Sequence, residues 1–312
     1  MPAALLKRRL RRDSIVKVLN FGSLNIDYTY RLDHIVRPGE TITSKKLEIF
    51  PGGKGLNQSV ALAKAGVQVY HAGMIGEDGR FLKDICRKSG VNTEYIRETE
   101  TRTGNAMIQV SDEGQNSIIL FAGANRELTS EFIGEVLDKF EAGDILLLQN
   151  EVNRLDELIS RGKEKGMTVV LNPSPYDDKI EECDLQKVDL FFVNEVEAEQ
   201  VTGEKQPEKM LEKMRKMYPR SKIVLTLGEK GSCFGGSGEI YYQEAVQASA
   251  VDTTAAGDTF TGFFLASYIR DSSGKNALRY AAAASAMAVE RQGASVSIPY
   301  KAEVDEKLRH II

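Results

Sequence analysis

Cysteine, histidine and tryptophan are scarce in this 312-residue chain, which has three, three and none. Cys86, Cys183 and Cys233 are widely spaced, odd in number and never paired as C-x-x-C. That excludes a disulfide scaffold or a zinc ribbon and fits a reducing compartment, so a cytoplasmic location is expected. His34, His71 and His310 are given no catalytic role and are expected to be surface or structural residues. No apolar run reaches the ~18–20 residues that a membrane span requires, and no membrane partner is expected. Positive charge is not in excess either: 41 Lys and Arg stand against 45 Asp and Glu, a formal −4. Nucleic acid is therefore a poor candidate partner. Nor does any internal repeat, low-complexity tract or Pro/Ser-rich linker cut the chain in two.

The charge is unevenly spread. The first twelve residues carry Lys7, Arg8, Arg9, Arg11 and Arg12 and no acid; without them the rest has 36 basic against 45 acidic residues, a net −9. This arm is too short and too poor in serine for a transit peptide, and it lacks the apolar core of a secretory signal. Residues 1–14 are expected to be a disordered basic leader, and residues 15–312 a single domain.

After Ser14 the pattern changes. Residues 15–22 (IVKVLNFG) read as a buried first strand. Residues 25–50 alternate polar and apolar around Arg37-Pro38-Gly39, as antiparallel strands with one exposed face do. A helix is expected over 56–65 and a hairpin over 104–110 and 116–122. From residue 144, short apolar runs (145–149, 168–171, 189–193 and 223–227) alternate with charged amphipathic stretches such as 154–165 and 207–217. Such alternation predicts an α/β fold whose parallel sheet is covered on both faces. Helices over 258–270 and 275–291 close the chain. The early hairpins predict a small β appendage, from segments near 25–50 and 104–122.

Chemistry concentrates at the ends of these elements. Asp252-Thr-Thr-Ala-Ala-Gly-Asp258-Thr-Phe-Thr-Gly262 opens a helix with small residues, so free N–H groups can meet an anion at close range. Asp258 reads equally as a first-turn carboxylate or as a base for a hydroxyl approaching a phosphate. Gly52-Gly53-Lys54-Gly55-Leu56-Asn57 lacks the G-x-x-x-x-G-K-[ST] spacing of a P-loop; it is a tight turn or a grip on a polyhydroxylated ligand. Asn25 and Asp27 follow the first strand, at the strand ends where α/β folds bind ligands. The acids of Asn194-Glu-Val-Glu197-Ala-Glu complement a helix dipole, and also suit water around Mg²⁺. Thr226-Leu-Gly228-Glu-Lys-Gly231 ends a strand in a turn that suits a nucleotide. Met107 and the Ile118–Leu120 run fit either a ligand site or the core.

Taken together, GSLNID (22–27), PGGKGLNQ (51–58), GAN (123–125), NEVEAE (194–199), TLGEKG (226–231) and DTTAAGDTFTG (252–262) resemble the ribokinase family of carbohydrate kinases, also called the phosphofructokinase B family. The resemblance covers about residues 16–300. It implies a three-layer α/β/α fold with a mainly parallel sheet and a β-sheet lid, homodimerisation through that lid, and ATP-dependent phosphorylation of a sugar. Within the family the match implies D-ribose and its 5-hydroxyl, with Mg²⁺ required and K⁺ activating.

By that resemblance Asp258 is the catalytic base, and the N–H groups of Ala255, Ala256 and Gly257 form the anion hole. Asn25, Asp27, Gly53, Lys54, Asn57 and Glu151 would bind the sugar. Asn194 and Glu197 would serve the nucleotide and Mg²⁺-bound water, with Thr226, Gly228 and Gly231 in the nucleotide pocket. Asp252, the carbonyls of Thr254, Ala288, Arg291 and Gly293, and Ser297 would hold the monovalent cation. The chain departs from the family where a histidine often packs near adenine, since that stretch reads Tyr280-Ala-Ala-Ala-Ala. Rival readings are a kinase of the same family for deoxyribose, a keto-deoxy sugar acid or a nucleoside, and a non-catalytic sugar-binding regulator. A dinucleotide oxidoreductase fits poorly, because no G-x-G-x-x-G follows the first strand.

Overall fold

Short runs that can be buried on both faces form the central strands. The computed structural model describes residues 16–310 apart from 237 and 239, so the expected leader lies outside the described residues. β1 (Val18–Phe21), β4 (Val69–Ile75), β5 (Asn92–Glu98), β8 (Ile145–Gln149), β9 (Thr168–Asn172), β10 (Leu190–Asn194) and β11 (Lys222–Thr226) pair in parallel. β12 (Ser232–Gly235) and β13 (Ile240–Gln243) add an antiparallel edge. The sheet order is β13-β12-β11-β10-β9-β8-β1-β4-β5.

Side chains alternate across this sheet and build two cores. Val18, Leu147, Val170, Phe192 and Val224 face one side. Leu19, Leu146, Leu148, Val169, Phe191 and Ile223 face the other. On the first side lie α1 (Lys54–Lys64), α2 (Arg80–Lys88), α7 (Ala256–Asp271), α8 (Gly274–Val289) and α9 (Lys301–His310). On the second lie α3 (Ser130–Leu137), α4 (Leu155–Glu164), α5 (Glu195–Thr202) and α6 (Pro207–Met217). In α4, the buried Leu155, Leu158, Ile159 and Gly162 recur at helical spacing, with Asp156 and Glu157 in the first turn and Arg161 and Lys163 in the last. The pattern both covers the sheet and complements the helix dipole. This is the expected three-layer α/β/α architecture.

One packing detail sets up the site. In α7, Gly262 lies directly against Ala61 of α1, and any side chain at 262 would collide with it. The two helices therefore cross at near backbone contact. Gly262 is one turn past Asp258, and Ala61 is one turn past Asn57 and Gln58, so the first turns of both helices are brought together.

β2 (Asn25–Leu32), β3 (Lys46–Gly52), β6 (Gly104–Ser111) and β7 (Asn116–Phe121) form a separate sheet in the order β3-β2-β6-β7. β6 pairs in parallel with β2, and β6–β7 is the expected hairpin. Its register separates two faces. Asn25 and Asp27 share one with Ala106, Ile108, Ile118 and Leu120, while Tyr28 shares the other with Ile49, Met107 and Ile119. Met107, Ile118, Ile119 and Leu120 are all exposed, at 45–60% of full accessibility, so the core reading of these residues is corrected. Alternation marks the faces of a strand, but it does not show whether anything covers them.

Leu147 is fully buried within the first core. Leu147→Ala is expected to lower unfolding free energy by about 3 kcal/mol, read from urea titrations at constant m-value. A loss below about 1 kcal/mol would show that this layer is not tightly packed.

Candidate active site

The parallel strands all point their carboxyl ends at one crevice, where open α/β sheets bind ligands. A cavity of about 230 Å³ opens there, lined by Lys54, Asn194, Glu197, Thr226, Asp258 and the stretch 255–257. Asn172 at the end of β9, Ser174 just beyond it, and Thr253 also line it; sequence reasoning passed over all three.

Asp258 sits in the first turn of α7 and is 9% exposed. Its Oδ2 accepts from Asn57 Nδ2 at 3.0 Å and its Oδ1 from Gln58 Nε2 at 2.9 Å. Two amides from consecutive residues of α1 thus hold both carboxylate oxygens. Immediately before it, Ala255 adopts a left-handed conformation at φ 60°. That turn leaves the N–H groups of Ala255 and Gly257 without a partner among the described residues, but Ala256 N–H bonds the Thr253 carbonyl at 3.2 Å. The expectation of three free N–H groups is corrected to two, because α7 begins with a tight turn at Thr253.

A second group of polar side chains lies where β1 and β8 end and β2 begins. Glu151 accepts from Ser23 Oγ and, at 3.0 Å, from Lys54 N–H. Burial pushes the Glu151 pKa up; the Lys54 ammonium, Ser23 and the Lys54 N–H oppose this, and Asp258 reinforces it. Asp27 packs so closely over Gly52 that no side chain fits at 52. Burial, and then the nearby Glu151 charge, push the Asp27 pKa up to about 7. Burial pulls Lys54 down, yet Asp258, Glu151 and Glu197 outweigh it and leave the ammonium above its ordinary range. Asn25 Oδ1 is fixed by Asn125 Nδ2 at 2.7 Å, which gives the GAN segment its place. Asn57 Oδ1 is buried with no partner among the described residues.

On the far side of the cavity, Asn194 caps α5. Its side chain accepts from Glu197 N–H at 2.9 Å, while Glu197 accepts from Asn194 N–H at 3.0 Å and from Nδ2 at 3.1 Å. This reciprocal capping box positions both residues. Beyond Asp258, Asp252 accepts at 2.9 Å from the N–H groups of both Thr254 and Gly293, tying two loops together. Burial pushes its pKa up, but the Thr254 and Gly293 hydrogen bonds outweigh that and hold it below the usual range. In the same loop, Ala288 accepts from Arg291 N–H at 3.1 Å, and Ser297 Oγ donates to the Ala294 carbonyl at 2.8 Å.

Residues 16–301 match the pfkB family of carbohydrate kinases. The chain belongs to that family. It is 35% identical over 298 residues to a ribokinase of Haemophilus influenzae, covering 93% of this chain and 97% of that one. Among solved structures, the Arabidopsis thaliana ribokinase complexed with ribose and ATP superposes with a TM-score of 0.84 at 29% identity, covering 95% and 99% of the two chains. The Cryptococcus neoformans ribokinase complexed with ADP gives 0.81 at 34% identity, with 94% and 99% covered.

Within this pfkB frame the expected residues fall into connected groups. Asn25, Asp27, Gly53, Lys54, Asn57 and Glu151 surround the start of α1 beside Asp258. Lys54 also faces the cavity with Asn194, Glu197 and Thr226. Gly228 and Gly231 do not line it. At Gly231 the Gln243 carbonyl of β13 fills the place of a side chain, so the edge hairpin requires glycine there. Ser23 and Gln58 contact the expected site residues without having been expected themselves. Gln58 adjoins Asn57 in PGGKGLNQ, and that adjacency was the available signal.

A carboxyl group whose folded pKa is raised keeps a proton that the unfolded chain has already lost. Stability therefore falls as pH rises from Asp27's unfolded value near 4 through its folded value of about 7. Asp27→Asn is expected to stabilise the ligand-free protein at pH 8 by roughly 1–3 kcal/mol, with little effect at pH 4. Parallel pH dependence of wild type and variant in urea titrations would contradict the assignment.

Proposed function

We propose that this chain transfers the γ-phosphoryl group of ATP to the 5-hydroxyl of D-ribose, giving D-ribose 5-phosphate and ADP. The observation that carries the reading is the position of Asp258, which lies between the polar group at the α1 start and a cavity edged by the unpartnered N–H groups of Ala255 and Gly257. The names of the related enzymes supply the sugar.

In this mechanism the sugar is held by Asn25, Asp27, the Gly53 backbone, Lys54, Asn57 and Glu151. The buried, unpartnered Asn57 Oδ1 fits a sugar hydroxyl donor. The 5-hydroxyl oxygen attacks the γ-phosphorus in line, forming the new P–O bond as the bond to the β,γ-bridging oxygen breaks and ADP leaves. The hydroxyl proton passes to Asp258. The Ala255 and Gly257 N–H groups and the Lys54 ammonium offset charge on the transferring phosphoryl oxygens.

Asn194, Glu197 and Thr226 would hold the nucleotide side. Both Glu197 oxygens already accept hydrogen bonds, which fits contact with water around Mg²⁺ rather than direct ligation. When bound, Mg²⁺ neutralises phosphate charge. The oxygens of Asp252, Thr254, Ala288, Arg291, Gly293 and Ser297 suit a hard monovalent cation such as K⁺, on loops that flank the anion hole.

The small sheet would act as the lid. Its face away from Asp27 exposes Leu47, Ile49, Met107, Ile119 and Phe121, an apolar surface that a second copy would cover in a homodimer. Among the described residues, no helix is long and apolar enough to cross a membrane.

Asp258→Asn is expected to lower kcat by about 10²–10⁴-fold, measured as ADP release with ribose. Near-wild-type turnover of the folded variant, or higher kcat/KM for deoxyribose or nucleosides in a substrate panel, would overturn the reading. Ile49→Lys combined with Ile119→Lys is expected to give monomers in sedimentation velocity. A species of unchanged mass would exclude dimerisation through this face.

A further inference from the structure

Five polar side chains that do not touch the cavity are completely buried between β1, α1, β4 and β8: Asn20, Gln58, Ser59, His71 and Gln149, each 0% exposed. Burying so many polar groups is costly unless they are paired, and a packed aliphatic cluster would avoid the cost. Their pairing has a direction. The Gly55 carbonyl can only accept, so Asn20 must turn its amide nitrogen toward it, at 2.8 Å, and toward Ser59 Oγ at 2.8 Å. Asn20 Oδ1 then faces Gln149, which must donate, at 3.1 Å. The same Gln149 nitrogen donates to Gln58 Oε1 at 2.7 Å. Gln58 therefore has only its nitrogen left for Asp258, which it reaches at 2.9 Å.

The chain of amides leaves Gln149 Oε1 buried without a partner among the described residues. Flipping Gln149 would not relieve this, because its carbonyl would then face two other carbonyl oxygens. On the far side, Ser59 is anchored by His71 Nδ1 at 2.8 Å, and His71 Nε2 meets the Gly22 carbonyl at 3.1 Å. Burial lowers the His71 pKa to about 4, so the ring stays neutral at ordinary pH.

From this one-way arrangement we infer that Gln58 is a positioning residue for Asp258, with its amide orientation set by the Gly55 carbonyl through Asn20 and Gln149. With Oδ1 held by Gln58 and Oδ2 by Asn57, the carboxylate plane cannot rotate. One remaining lone pair then stays aimed at the hydroxyl to be deprotonated. A flipped Gln58 would set carbonyl against carboxylate and turn the base away. The inference rests on the reading of Asp258 as the base.

The test uses Gln58→Met and Gln149→Met, similar in size but without the amide, each in wild-type and Asp258→Asn backgrounds. kcat and the KM values for ribose and ATP are measured by ADP release, alongside thermal melting. Gln58→Met is expected to lower kcat by ~10–100-fold while both KM values stay within ~3-fold, and Gln149→Met to lower kcat by ~3–10-fold. In the Asp258→Asn background neither change should lower kcat more than ~2-fold further, since groups acting as a unit are not additive. An unchanged kcat, equal losses in both backgrounds, or a loss carried by KM would overturn the inference and leave a purely structural network. If Gln58→Met does not fold, Gln149→Met decides by the same comparison. Near-wild-type turnover of Asp258→Asn alone would instead overturn the assignment of the base, and this inference with it.

Discussion

The site depends on how closely two helices can approach. Gly262 of α7 and Ala61 of α1 meet at near backbone distance, and nothing larger fits at 262. One turn back along each helix, that contact becomes the spacing between a carboxylate and two amides. A wider crossing would leave Asp258 buried and unpaired, a costly arrangement in a dry interior. The central sheet contributes the remaining geometry by directing β1, β8, β9, β10 and β11 at the same crevice. Packing between small residues thus determines the placement of the charged ones.

Electrostatics works against the acidic body and is corrected locally. Lys54 is surrounded by Asp258, Glu151 and Glu197, which keep its ammonium charged despite burial. The crowded carboxyl groups of Glu151 and Asp27 carry the cost as raised pKa values. The crevice thus offers an anion a buried cation and free N–H groups at a helix start, rather than a basic surface. Solved ribokinases of similar fold hold ribose with ATP, and ADP.

Much of this was legible in the residues. ILLLQ (145–149), TVVL (168–171) and IVLTL (223–227) announce buried parallel strands because they are almost wholly apolar, and they fall on β8, β9 and β11. β4 was not foreseen: VYHAGMI contains a histidine and a glycine, and only the pairing of His71 with Ser59 and Gly22 lets it lie in the core. Gln58 and Gln149 escaped notice for a similar reason, since buried amides read as surface residues until their partners are known. Motif spacing singled out Asp258 and Lys54, which line the same cavity. It could not show that Ala256 N–H turns back to Thr253, or that Gly231 serves the edge hairpin.

β2 runs from the crevice into the middle of the small sheet. Odd-numbered positions Asn25 and Asp27 face the crevice, and even-numbered Tyr28 belongs to the outer apolar face. Inserting or deleting a single residue within this strand would exchange the two surfaces at once. A length change would therefore disrupt residues 25–32 far more than the connection at 33–45, where the chain leaves the sheet before returning as β3. The reading frame of one strand keeps the crevice-facing and outward-facing chemistries from drifting independently.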